Sequence, residues 1–258
     1  MEISPKRVDH VQRTQVAAEI SDQLRSHFGE RVIAIGIYGS IARGADGPYS
    51  DIELHCVIDQ IEKEYSLKWT NGDWRAEVGL YSVSDILNRA AEVNWRWPAT
   101  HSAFASIQPL FDPTNLFIHV RKSALSQPEF KFRKGIKELI VSELYELIGK
   151  MRNTQETGAL TSLPYFAVQV AWRGACLVGL ENRYLYEASS QILADSLNLD
   201  YRPAGYDELC RLAMTGDLSQ PEEIYSVCER FWGGVNAWAK ERGIRLTDEL
   251  RDLLESKR

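Results

Sequence analysis

Apolar residues at Val11, Val16, Ala17, Ile20 and Leu24 recur at helical spacing behind Asp9, a residue type that caps helix starts, so residues 9–28 are expected to form a helix. The period then shortens. Val32-Ile33-Ala34-Ile35-Gly36-Ile37-Tyr38 is a β-branched run that stops at Gly39-Ser40, and a second run covers 51–58 after a polar turn containing Gly44, Gly47 and Pro48. Over 74–80, Trp74, Ala76, Val78 and Leu80 share one face while Arg75, Glu77 and Gly79 share the other, the alternation of a half-buried strand. Ser82 and Asp85 have the form of a capping box opening a helix toward Trp97, and residues 106–111 add a strand before Asp112-Pro113. From about Pro128 the period is helical throughout, with segments at 132–153, 163–180, 189–197, 207–214, 222–240 and 247–255. The expected architecture is α+β: a mixed-sheet domain over residues 1–127 followed by a helical bundle over 128–258.

Composition narrows the function classes. The 258 residues carry 30 Lys and Arg against 36 Asp and Glu, a net charge of -6. Such a balance disfavours a nucleic-acid surface, which needs cationic side chains to neutralise phosphates. It suits a cationic substrate, although mild acidity is also common in bacterial-type cytosolic proteins. Cys56, Cys176, Cys210 and Cys228 are scattered without a CxxC pair, which fits buried free thiols and a reducing cytoplasm. The start, MEISPKRVDH, lacks the apolar run of a signal peptide, and the apolar stretch at 163–180 is interrupted by Gln169 and Arg173, as in a core helix rather than a membrane span. A cytoplasmic protein without membrane or nucleic-acid partners is expected.

The chemistry gathers around the first two strands. Gly39 and Ser40 stand at a strand end, Arg43 follows, and alternation puts Asp51 and Glu53 on one face of the next strand. Two converging carboxylates repel each other and call for a cation, and hard oxygen donors suit Mg²⁺. Gly39 lets the backbone approach a phosphate, to which Ser40 and Arg43 can donate. Glu77 adds a third carboxylate, giving Asp51, Glu53 and Glu77 as a set able to hold one or two metal ions. Taken singly, the same pieces describe an ordinary turn and the solvent face of an edge strand. In the 132–153 helix, Ile136, Leu139, Ile140, Leu144, Leu147 and Met151 outline a core stripe, with Glu143, Glu146 and Lys150 elsewhere. Glu146 and Lys150 read either as a surface i, i+4 ion pair or as a general base beside a triphosphate-binding lysine, and spacing alone does not choose between them.

These residues carry a family resemblance. The run Ile35-Gly36-Ile37-Tyr38-Gly39-Ser40, then Arg43, then Asp46-Gly47-Pro48-Tyr49-Ser50-Asp51-Ile52-Glu53 resembles the signature of the kanamycin nucleotidyltransferase family, the aminoglycoside 4'-nucleotidyltransferases, within the DNA polymerase beta-like superfamily. The likeness continues through Gly72-Asp73-Trp74 with Glu77, Trp97-Pro98 with Thr100-His101, Glu143-Leu144 with Glu146, Gly149-Lys150 and Gly205-Tyr206-Asp207. It implies Mg²⁺-dependent transfer of AMP from ATP, or of another nucleoside monophosphate from its triphosphate, to the 4'-hydroxyl of kanamycin- or tobramycin-type drugs, releasing pyrophosphate and conferring resistance.

By matching positions, the resemblance implies that Asp51, Glu53 and Glu77 hold the metal and that Gly39, Ser40, Arg43 and Lys150 hold the triphosphate. Glu146 would be the base, and Glu53, Glu77, Glu143 and Glu146 would face the drug. It further implies a homodimer with composite active sites. Ser142 and Arg75 depart from the family pattern, which places an acid and a lysine there, and this bears on drug range. The rival readings are a nucleotidyltransferase acting on protein or nucleic acid and a catalytically silent nucleotide-binding homologue.

Overall fold

The computed structural model describes residues 4–216 and 218–255. The chain divides into two compact units, one taking in Met1–Glu92 and Thr100–Gln127, the other Val93–Ala99 and Pro128–Arg258.

The first unit is built on a five-stranded sheet in the order β3-β4-β2-β1-β5, where β1 is Val32–Ile37, β2 Ile52–Ile58, β3 Tyr65–Thr70, β4 Arg75–Tyr81 and β5 Gln108–Phe111. Only β2 and β4 run parallel; every other neighbouring pair is antiparallel. The helix His10–Phe28 starts where Asp9 accepts from Gln12 N at 2.8 Å while Asp9 N donates to the Gln12 side chain at 3.3 Å. It buries Ala17, Ile20 and Leu24 against Ile35, Ile37, Ile52, Leu54, Val78 and Leu80 on one sheet face. Each Ile, Leu or Val among them contributes about 1.5–3 kcal/mol on burial. The opposite face is covered by the helices Val83–Ala91 and Leu116–Leu125, through Ile86, Ala90, Phe117 and Val120 packed with Ala34 and Val57.

The second unit is helical, with Glu129–Thr157, Leu163–Glu181, Tyr206–Thr215 and Pro221–Glu241 around one apolar core. All six positions of the expected stripe in the first of these helices are buried. A π-helical segment, Leu139–Leu144, interrupts that helix. By length and composition Leu160–Glu181 is apolar enough to cross a membrane, and 61% of its most apolar window is buried within the protein.

Three of the departures from expectation bear most on the two units. The helix opened by Ser82 ends at Ala91, because Glu92 is extended and Val93 and Trp97 join the core of the helical unit. Strand β3 and the Leu116–Leu125 helix were not anticipated. In the latter, Asp112 accepts from Leu116 N at 2.8 Å and Phe117 N at 2.9 Å, so the residue read as closing a strand also opens a helix.

Candidate active site

The sheet topology brings the chemistry to one end. β2 and β4 are parallel, so both start at the same edge, and β1, antiparallel to β2, finishes there. Glu53 lies directly opposite Glu77 in the β2–β4 register. Residues 53, 55 and 57 face the side covered by the Val83–Ala91 and Leu116–Leu125 helices, which pack against Val57. Asp51 sits immediately before β2, and Tyr38 N donates to Glu53 O at 3.0 Å, which ties the end of β1 to the same place.

Glu53 is the enclosed member of the cluster. Burial, followed by the charges of Asp51 and Glu77, pushes its carboxyl up to about 7, while Arg75 and Arg43 pull the other way. Burial and the charges of Glu53, Tyr81, Glu77 and Asp51 likewise push the Tyr38 phenol up, so it stays a neutral hydroxyl beside the acids. Two basic side chains address the other carboxylates. The Arg75 guanidinium donates to Asp51 Oδ2 and, at 3.1 Å, to Glu77 Oε2; Lys68 Nζ is 3.0 Å from Glu77 Oε1. Among the described residues no three His, Cys, Asp or Glu side chains form a ready metal cage. The expected centre is therefore a carboxylate cluster bridged by arginine. Its hard oxygen donors and the repulsion registered at Glu53 nevertheless fit a divalent cation.

Gly39 opens the short helical turn Gly39–Ala42 at φ +74°, and a Cβ there would fall on Glu53 Oε2. The left-handed φ favours glycine, and any side chain there would push the Glu53 carboxylate aside. Gly39→Ala is expected to destabilise the protein by about 1–3 kcal/mol and to lower turnover more than about tenfold by displacing Glu53, measured by urea unfolding and initial rates. The loop that follows, joining this turn to Asp51, is clamped from below. Arg13 and Asp46, whose side chains are each 2% exposed, pair at 3.0 Å; Arg13 also donates to Val8 O at 2.6 Å and Gly47 O at 2.5 Å, and His10 contacts Asp46 at 2.6 Å. Although burial opposes ionisation, the hydrogen bonds from His10 and Arg13 hold the Asp46 carboxyl below its ordinary value.

Two hollows flank the carboxylates. One of about 510 Å³ is lined by Asp51, Arg75, Tyr49, Trp74 and Lys6. The other, of about 260 Å³, is polar and lined by Glu77, Glu64, Ser66, Tyr81 and Arg89. His101 is not at the cluster's surface: it is 4% exposed, its Nε2 lies 3.1 Å from Arg89 O, and burial lowers its pKa to about 4. It is a neutral packing group.

The remaining candidate residues belong to the helical unit. Glu146 and Lys150 form an exposed i, i+4 pair at 2.5 Å, which lowers the carboxyl and raises the amine. Glu143 lies within the π-helical segment and meets Arg173 Nε at 3.1 Å; Arg173 also donates to Gln169 Oε1 at 2.6 Å. Asp51, Glu53, Glu77 and Gly39 are thus gathered within the sheet unit, whereas Glu143, Glu146 and Lys150 are not part of that unit. Sequence reasoning missed Lys68, because the strand bearing it went unrecognised, and the Arg13–Asp46 clamp, whose partners lie 33 residues apart.

A solved structure, a nucleotidyltransferase-like protein from Exiguobacterium sibiricum, shares this fold with a TM-score of 0.54 at 13% identity, over 87% of this chain and 75% of its own. Residues 114–245 match the KNTase C-terminal domain family. Two proteins described as aminoglycoside nucleotidyltransferase (4'), from a Bacillus species and from Staphylococcus aureus, are each 40% identical over 232 residues, 90% of this chain and 92% of theirs. The chain belongs to the kanamycin nucleotidyltransferase family.

Proposed function

We propose that this protein transfers a nucleoside monophosphate, AMP from ATP in the simplest case, to the 4'-hydroxyl of an aminoglycoside, releasing pyrophosphate and so giving resistance to the drug. The observation that carries this reading is the pairing of Glu53 with Glu77 in register across β2 and β4, with Asp51 and Gly39 at the same sheet end. The 40% identity to two aminoglycoside nucleotidyltransferases supports the substrate class.

Asp51, Glu53 and Glu77 would hold Mg²⁺. When bound, the ion would supply positive charge against the triphosphate oxygens and the leaving pyrophosphate. Ser40 and Arg43 bind phosphate oxygens after Gly39 has let the backbone come close. Glu53 and Glu77 would face ammonium groups of the drug, to which carboxylates give charge complementarity. Lys150 binds the triphosphate, Glu143 faces a drug amine, and Glu146 takes the proton of the attacking hydroxyl. These three roles rest on the family resemblance, as does a cytoplasmic homodimer in which Glu146 of one subunit serves Asp51 of the other.

Magnesium-dependent pyrophosphate release from ATP in the presence of kanamycin tests the reaction; release with drug absent, or none with drug and Mg²⁺ present, would contradict it. Glu146→Gln is expected to slow turnover by about 10²–10⁴-fold. Because Glu146 is exposed and pairs with Lys150 at the surface, melting should be unchanged. Mixing inactive Asp51→Asn and Glu146→Gln subunits should restore roughly a quarter of wild-type activity if sites are shared between subunits. No recovery from subunits proven to exchange would remove the shared-site reading.

A further inference from the structure

We propose that Arg75 is the resident counter-ion of the carboxylate cluster and that a divalent cation enters by displacing its guanidinium from Asp51 and Glu77. The inference rests on reading Asp51, Glu53 and Glu77 as the metal-holding set. Arg75 spans the two parallel strands, donating to Asp51 Oδ2 ahead of β2 and to Glu77 Oε2 on β4. A bridging cation does for Asp51 and Glu77 what a metal would do: it offsets repulsion among carboxylates gathered at one sheet end, where Glu53 also faces Glu77 in register. The two cations compete for the same carboxylates, each of which the guanidinium engages through one oxygen.

The chemistry of arginine makes this an exchange and not a titration. A guanidinium keeps its charge at any working pH and is weakly hydrated, so it leaves as a cation and is replaced by one. The side chains of Arg75 and Asp51 are 47% and 38% exposed, which places their ion pair in the class that is readily broken in water. Lys68 stays on the other oxygen of Glu77, so that carboxylate is not left alone during the exchange. Once released, the guanidinium is a forked donor at the edge of the site, suited to phosphate oxygens. Arrival of a metal–nucleotide pair is thereby favoured over bare metal.

The experiment measures Mn²⁺ binding by electron paramagnetic resonance without nucleotide, on wild type, Arg75→Gln, Arg75→Lys and the site control Asp51→Asn, together with melting in EDTA. Arg75→Gln is expected to bind Mn²⁺ about two- to fivefold more tightly than wild type and to melt lower in EDTA. Arg75→Lys, which keeps the charge but loses the fork, should fall between them. Equal or weaker Mn²⁺ binding by Arg75→Gln, with wild-type uptake abolished in Asp51→Asn, overturns the exchange while leaving the metal site standing. Absence of uptake by both wild type and Arg75→Gln overturns the metal-site reading itself, and the exchange with it.

Discussion

Glu53→Gln is expected to lower the rate of nucleotidyl transfer about a thousandfold or more while leaving the metal-free protein at least as stable as wild type. The two effects have one cause. Glu53 is enclosed at the strand end, opposite Glu77 and two residues from Asp51, and these neighbours together with burial raise its carboxyl from an ordinary 4.5 to about 7. In the metal-free folded state the charged form is therefore the disfavoured one. Because the folded pKa lies above the unfolded one, the folded state holds a proton that the unfolded state has lost over that interval. Stability contributed by Glu53 is present below pH 4.5 and is lost as pH rises through about 7, by up to about 3 kcal/mol. Glutamine is isosteric and uncharged, so Glu53→Gln should flatten this part of the stability–pH curve measured by urea unfolding in EDTA. Retained turnover, or a curve as steep as wild type, would show that Glu53 is neither a metal ligand nor the strained acid of the cluster.

Asp46→Ala should cost about 3–5 kcal/mol of folding stability, the range for breaking a buried ion pair, because it strands Arg13 in the interior. The Arg13 side chain is 2% exposed and keeps only the Val8 and Gly47 carbonyls as acceptors after the change. Replacing both residues by apolar ones of similar size, as in Arg13→Met with Asp46→Leu, should cost less than Asp46→Ala alone, since no uncompensated charge remains. The activity lost by Asp46→Ala should exceed what reduced folding accounts for, because the pair fixes the loop that leads from Gly44 into Asp51. Denaturant unfolding combined with kcat on the folded fraction separates the two. A double variant worse than the single one would contradict the charge argument.

Much of this was legible in the chain because the relevant signals are local. Alternation over 51–58 put Asp51 and Glu53 on one face and alternation over 74–80 put Glu77 on the polar face of its own strand; the register pairs Glu53 with Glu77. The period of 132–153 named the buried stripe of its helix correctly, even through a π-helical segment that no spacing rule revealed. What was missed depends on partners far apart or on weak amphipathicity. In β3, Tyr65, Leu67 and Trp69 alternate with Ser66, Lys68 and Thr70, and a Thr70-Asn71-Gly72-Asp73 turn follows, which is a hairpin signal. Yet this edge strand is exposed at every residue, so its alternation does not separate a core face from a solvent face. The bridging role of Arg75 was likewise invisible, since a departure at a basic position says nothing about which two acids the side chain will span.

The central claim is tested most directly by the mass and the site of modification of the product formed from MgATP with kanamycin, with tobramycin and with a drug lacking the 4'-hydroxyl. One added AMP is expected on drugs that bear a 4'-hydroxyl, located on that oxygen by nuclear magnetic resonance, and none on the drug without it. Unmodified drug in every case, from folded protein that takes up metal and nucleotide, would contradict the aminoglycoside assignment and favour a macromolecular acceptor or a binding-only role.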